Sequence, residues 1–286
     1  MKIKIKAILL VLALLGIFIS GCLEEKQIIS LDEPGNISSY EFEVPLNEWS
    51  NGTPVNTTAY YILEDKIQVQ AVYLVINSSK IEIIPTEDLG GNSEKTPIQD
   101  LVLLVSPANE TEVSKETFME FANRTEVSNL NYSLYQEVSN GIKIIVLEFK
   151  EPVTGFIAYT FEISGNQDFL VMKPDSEFIK VVLPKGYSTG NRAFGIPSPS
   201  PYNITFDEEG RQALLWNSSE MGAREGTIQV KYYPEYAPVY FFAVIVALLA
   251  GSALVLVHYS RSKKRLDIER EILEIEKKSP KKKNKD

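Results

Sequence analysis

A single histidine and a single cysteine limit the chemistry open to this chain of 286 residues. The histidine, His258, closes a long apolar run near the C-terminus. No Ser–His–Asp or Cys–His nucleophile system can then be built in the preceding two hundred or so residues, and no histidine or cysteine metal site. The sequence carries no Walker-type loop, no Gly-x-Gly-x-x-Gly after a strand and no EF-hand spacing. Carboxylates are plentiful, in the runs Glu24-Glu25, Glu87-Asp88 and Asp207-Glu208-Glu209. Two of them held at a fixed distance in a cleft would suffice for a glycosidase. The plainer reading is solvated acidic loops, with loose divalent-cation binding as a third. Ser114-Lys115 is no dyad, because adjacent residues of a helix do not face each other. The sequence therefore assigns no catalytic residue, no metal ligand and no cofactor.

The cysteine has a chemistry of its own. Lys2, Lys4 and Lys6 precede an apolar run from Ala7 to Ile19, which ends in Ile19-Ser20-Gly21-Cys22. The run is too short to cross about 30 Å of hydrocarbon at 1.5 Å per residue, but it fits the core of a secretory signal. Small residues before the thiol match a lipobox. Residues 1–21 read as a lipoprotein-type signal peptide and Cys22 as a lipidation site. An uncleaved anchor with an incidental cysteine is the alternative. A lone Cys also removes any intrachain disulfide, so apolar packing must hold the fold.

Asparagine offers a third modifiable group. Asn-X-Ser/Thr occurs at Asn36, Asn51, Asn56, Asn77, Asn109, Asn123, Asn131, Asn203 and Asn217. Chance would give about two such sites for the Asn and Ser/Thr content of the stretch. The excess marks candidate glycan acceptors on exposed loops of an exported glycoprotein.

These groups need elements to carry them. Val239–Val257 is free of charge and long enough for a transmembrane helix, placed at 238–258. Tyr232, Tyr233, Tyr236 and Tyr240 before it, and Tyr259 after it, read as headgroup belts. Arg261, Lys263, Lys264 and Arg265 follow. By the positive-inside bias the tail, 259–286, is cytoplasmic, and the segment before the span is extracellular. Both ends are basic, and residues 22–257 carry a formal charge of −17. Ala243, Ala247 and Gly251 place small residues on one face of the span, which would admit a homodimer. His258 at the boundary would suit pH sensing, or is incidental. Leu266–Lys278 reads as a helix with Ile268, Ile272 and Ile275 in one stripe. Lys281, Lys282, Lys283 and Lys285 would meet anionic lipid heads, unless they serve only to stop transfer.

The outer segment reads as mainly β, in one or two antiparallel sandwich-like domains. Ile67–Ile76 alternates and then turns wholly apolar, Asn77-Ser-Ser79 reads as a turn, and Lys80–Ile84 alternates again, which predicts a hairpin. Leu101–Val105, Ile142–Phe149, Phe156–Ile163, Phe178–Leu183 and Thr227–Tyr233 are further strands. Ser114–Ala122 is the helix candidate, with Ser114 as N-cap. Gly195–Pro201, rich in proline, is a loop. Residues 22–39 read as a linker, 40–165 as a first β domain and 166–236 as a smaller second one. Trp49, Trp216 and the other rings line either a core or a glycan-binding face.

The lipobox, Ala71–Ile83, Phe178–Gly186, Trp216, Ile228–Tyr233, the single span and the charged helical tail together resemble an uncharacterised archaeal family, the domain of unknown function numbered 5803. The resemblance implies this topology and an archaeal cell surface. It implies no activity.

Two classes of function follow. The first is a non-enzymatic envelope or binding module held on the cell membrane, with no nucleic-acid partner. The second is a carboxylate-based extracellular hydrolase, or a transducer coupling outside binding to the tail. A deep pocket with two buried carboxylates would favour the hydrolase.

Overall fold

The computed structural model describes residues 26–31, 34–44, 52–84, 98–139, 142–163, 165–172, 174–221 and 226–278. The chain forms two units, Met1–Tyr233 and Pro234–Asp286. Residues 1–21, expected to be a signal peptide, Cys22, Trp49, Asn51, the runs Glu24-Glu25 and Glu87-Asp88, and the terminal lysines lie outside the described residues.

The first unit is built on a mixed sheet in the order β1-β5-β6-β3-β2-β8-β12-β11, with β4 also pairing β6. These strands are β1 (Gln27–Ile28), β2 (Thr57–Ile62), β3 (Gln68–Ile83), β4 (Gln99–Pro107), β5 (Tyr132–Ser139), β6 (Ile142–Glu162), β8 (Phe178–Val182), β11 (Asn203–Phe206) and β12 (Gln212–Asn217). A second sheet orders β10 (Pro197–Ser198), β13 (Thr227–Lys231) and β7 (Asp168–Met172). The short strands β9 (Tyr187–Ser188) and β14 (Tyr233–Pro234) pair with each other. Within the two larger sheets the strand pairs are antiparallel except β2 with β8, which is parallel.

The hydrophobic pattern follows from which faces are covered. Val69 to Val75 of β3 are all buried, because this part of the sheet is covered on both sides. One face packs Tyr60, Tyr73, Ile157, Val181 and Trp216 against Phe169, Val171, Ile228 and Val230 of the small sheet. The other packs Tyr61, Val72, Leu104 and Phe156 against Tyr40 and against Phe118 and Phe121 of helix α1 (Lys115–Ala122). Burying each of those two Phe side chains stabilises the unit by about 1.5–3 kcal/mol. Beyond Ile76 one face opens to water, and β3 returns to alternation, with Ile81 and Ile83 inward and Lys80 and Glu82 outward.

Several expectations need correction. Asn77-Ser-Ser79 is no hairpin turn. β3 runs through it with register shifts between Val75 and Lys80, and Asn77 takes φ 52°, so one strand bends while both halves stay paired to β6. The separate strands expected at 142–149 and 156–163 are one strand, β6, which pairs β3 along one edge and β5 and then β4 along the other. At Gly155 β6 adopts φ 145°, and a Cβ there would lie 2.2 Å from the Leu104 carbonyl oxygen. β8 and β12, from the expected second domain, share the sheet and the apolar cluster of the first.

The linker is also largely structured. β1 pairs β5, the Ile29 N–H donates to Leu134 O at 3.0 Å and the Gly35 N–H to Leu101 O at 3.0 Å. Tyr40, Phe42 and Val44 point inward, whereas Glu41 and Glu43 meet cations. Ser114 caps α1 as expected, its hydroxyl accepting from the Thr117 N–H at 3.2 Å.

The second unit contains one helix, α2 (Ala237–Lys278), of 42 residues. At 1.5 Å per residue it is about 63 Å long, roughly twice a hydrocarbon core. It is long and apolar enough to cross a membrane. Pro238 falls in its first turn, where a missing N–H loses nothing. After Gly251 no glycine or proline interrupts it, so its apolar and charged halves form one continuous helix.

Candidate functional site

Two adjoining hollows of the β unit, of about 630 and 510 Å³, meet at Asn56, Asp175 and Ser176. Sheet geometry sets their walls. The bend of β3 turns Asn77, Ser78 and Lys80 toward one hollow, while the segment leading into β8 supplies Asp175, Ser176 and Glu177 to the other. Hydrogen bonds fix the junction. The Asn56 amide oxygen accepts from the Ile76 N–H at 2.7 Å, and the buried Thr58 and Ser176 hydroxyls are 2.6 Å apart. Asp175, Glu177 and Glu82 are exposed to water, and the Lys80 ammonium lies 2.7 Å from Glu82. That hydrogen bond raises the Lys80 pKa and keeps it cationic. The groove is broad, and its charged groups are exposed.

Beneath it Tyr73 and Glu82 also border a narrow cavity of about 30 Å³, lined by Tyr60, Ile83, Ile98, Tyr159 and Phe161 among others. Three phenols run through this part of the core: Tyr60 to Tyr73 at 3.4 Å and Tyr73 to Tyr159 at 3.1 Å. The Tyr73 and Tyr159 rings stack at 26°. Burial pushes all three hydroxyls above their ordinary range, so they remain neutral donors and acceptors. Such a string can hold a small polar molecule but supplies no charged acid or base.

Charges also converge around Arg211. Arg211 is gripped by Glu41 through both nitrogens of its fork, at 2.7 and 2.6 Å, and its Nε donates to Asp207 at 2.7 Å. Lys180 pairs with Glu43 beside it. Burial opposes the Asp207 charge, but the Arg211 N–H and guanidinium outweigh it and hold the carboxyl below its usual range. Hydrogen bonding to Glu41 raises Arg211 further. These groups satisfy each other and pin the 40–44 segment to β12.

The residues singled out from sequence are scattered. Asn36, Asn77, Asn109, Asn123, Asn131 and Asn203 are exposed, and Asn56 and Asn217 are half-buried in the groove walls. Asp207 belongs to the Arg211 clasp. Among the described residues no Asp or Glu is fully buried, and no group of three or more His, Cys, Asp and Glu is placed to hold a metal ion. Trp216 is core, 1% exposed, its indole N–H donating to Pro199 O at 3.0 Å, so it offers no glycan platform. Tyr232 and Tyr233 are no headgroup belt: both are buried, against Tyr187 and Phe194. Tyr236 and Tyr240 are exposed and stack edge-on. Ala243, Ala247, Gly251 and His258 lie on α2.

The groove residues Ser176, Asp175 and Lys80 and the Tyr73 chain escaped the sequence reading, since nothing local announces them. Glu41 had a signal. Tyr40-Glu-Phe-Glu-Val44 alternates in sequence like a strand face, and Tyr40, Phe42 and Val44 pack on the core while Glu41 and Glu43 meet cations.

A family model described as Family of unknown function (DUF5803) matches residues 53–278, from the approach to β2 to the end of α2. No curated protein and no solved structure matches the chain.

Proposed function

This chain belongs to the DUF5803 family, whose function is unknown, and from its own residues we propose a membrane-anchored surface module that binds rather than catalyses. One observation carries the reading: a folded β unit precedes a helix whose apolar half is exposed and long enough to span a bilayer. Lys2–Cys22 supplies the export signal and lipid site, and six exposed sequons are consistent with an extracellular, glycosylated face. The cluster Arg261–Arg265 keeps the tail on the cytoplasmic side. The binding surface of this reading is the groove around Asn56, Asp175 and Ser176. Its carboxylates stand in water, so it suits a polar ligand recognised by hydrogen bonds.

The continuity of α2 favours a transducer over a passive anchor. A helix unbroken from Ala237 to Lys278 would carry a rotation or shift at the outer surface into the cytoplasm. Ala243, Ala247 and Gly251 give two copies a close-packing face, and the terminal lysines an anionic-lipid contact.

Protease treatment of intact cells or right-side-out vesicles tests the topology. An epitope tag after Asp286 should stay protected while the β unit is digested. A tag cleaved in sealed vesicles, or a protein released by carbonate washing, would overturn the reading.

A further inference from the structure

If Cys22 carries a lipid, the distance from that lipid to the β unit cannot exceed the extended length of the residues between them. Lys26 and the described residues after it are held to the β unit. The Lys26 ammonium stands 4.4 Å from the centre of the Tyr135 ring and 3.4 Å from its hydroxyl. Gln27 and Ile28 pair with Gln136 and Tyr135, and the Ile29 N–H donates to Leu134. Further on, a Cβ at Gly35 would meet the Asp100 carbonyl oxygen at 2.1 Å, so only glycine lets the chain lie against β4. Tyr40 then closes the segment through bonds to Asp100 O at 2.7 Å and Thr160 at 2.9 Å.

Only Leu23, Glu24 and Glu25 separate Cys22 from Lys26. Fully extended, those steps reach roughly 14 Å, whereas a free tether of seventeen residues would reach about 60 Å. An acyl chain on Cys22 is buried below the headgroups. The β1–β5 edge must then lie within a headgroup layer's depth of the bilayer surface, whatever the rest of the unit does.

The edge is suited to that place. Ile28 is 84% exposed, an aliphatic side chain in register with Tyr135, whose ring and hydroxyl meet the Lys26 ammonium. Tyr132 and Val138, at the two ends of β5, are also exposed. An apolar tip flanked by an ammonium and a phenol matches the layered polarity of a lipid surface.

We propose that the β1–β5 edge, with Ile28 at its tip, is the membrane-facing surface of the β unit and rests in the phospholipid headgroup layer. This rests on the lipid-anchor reading of Cys22. The edge is a docking surface for lipid, and it leaves the opposite sheet edge, β11, turned to the medium.

The test uses the full chain, exported by its own cells and reconstituted in phosphatidylcholine vesicles. In separate variants, Ile28→Cys and Asn203→Cys carry a maleimide-linked nitrobenzoxadiazole, and lipids spin-labelled on the headgroup serve as quencher. A lipidated Cys22 has no free thiol, so the intact mass should show one lipid and one label. Quenching at position 28 should be several-fold stronger than at position 203 and independent of protein density in the vesicle. Equal quenching at the two positions, with the lipid mass present, would overturn the proposal while leaving the anchor intact. Self-quenching at position 28 that grows with protein density would overturn it in favour of pairing between two copies. A mass without lipid would instead remove the anchor reading itself.

Discussion

Arg211 and Glu41 form a two-pronged pair, Nη1 to Oε1 at 2.7 Å and Nη2 to Oε2 at 2.6 Å, across 170 positions of sequence. Through it the chain's entry segment is fastened to β12, which enters the sheet only near its far end. Arg211 also holds Asp207 at the turn before β12, so one guanidinium ties a tight turn to a distant strap.

Replacing Arg211 with Met keeps the stem and removes the fork. Charged hydrogen bonds contribute about 1.5–3 kcal/mol each, so the variant should lose at least about 2 kcal/mol in urea unfolding. A loss under half of that would mean the strap is held by Tyr40, Phe42 and Val44 alone.

Asp207 and the buried phenols set opposite pH limits. The Asp207 carboxyl is held below its ordinary value, so its contribution is complete above about pH 4 and disappears as pH falls toward its folded value. Burial pushes Tyr40 and Tyr232 up to about 12, so their neutral forms favour folding below about pH 10, and that stability is lost as pH rises from about 10 to 12. Unfolding midpoints should fall at both extremes. Asp207→Asn should flatten the acid limb and leave the alkaline limb unchanged.

Gly155→Ala should be among the most damaging single changes in the β unit. The φ of 145° and the Leu104 oxygen 2.2 Å from the new Cβ force β4 away from β6, at a cost of about 3 kcal/mol or more. A variant with wild-type melting behaviour would show that the two strands can separate freely there.

Sequon use should follow exposure. Glycopeptide mass spectrometry should find Asn77, Asn109, Asn131 and Asn203 occupied before Asn56. At Asn56 the amide oxygen is engaged by Ile76, and the Thr58 hydroxyl is buried against Ser176. High occupancy at Asn56 would mean that the sugar is added before β2 enters the sheet.

A fragment of residues 26–233 should be more stable than one of 40–233. The shorter piece loses β1 and the packing of Ile29, Leu31 and Ile37. At about 1 kcal/mol for each half-buried aliphatic side chain, the difference should be about 3 kcal/mol. Equal stability would return residues 26–39 to the role of a loose tether.

What sequence could reveal here depended on range. The Ala71–Val75 run and the Lys80–Ile83 alternation announced two-sided and one-sided burial, because strand patterning is local. So did the Ser114 cap and the apolar stretch of α2. The Asn77 bulge imitated a turn, since the same residue types serve both and only pairing to β6 distinguishes them. β2 escaped notice: Thr57-Thr-Ala-Tyr-Tyr-Ile62 lacks alternation because it lies between β3 and β8 with both faces covered. Tyr232 and Tyr233 resembled a belt by their place beside the span, yet burial depends on Tyr187 and Phe194, far back in the chain. The groove was hidden for the same reason, being assembled from β3 and from the approaches to β2 and β8.

The parallel pairing of β2 with β8 has a consequence for the order of assembly. Thr57 and Phe178 are register partners, so the central ladder joins segments about 120 positions apart. Closing so large a loop carries a high entropic barrier and slows folding. During synthesis the apolar strands β2 and β3 emerge well before β8 and β12 arrive to complete their sheet. The nascent chain therefore passes through an unfinished state with β2 and β3 uncovered, in which misassociation competes with folding.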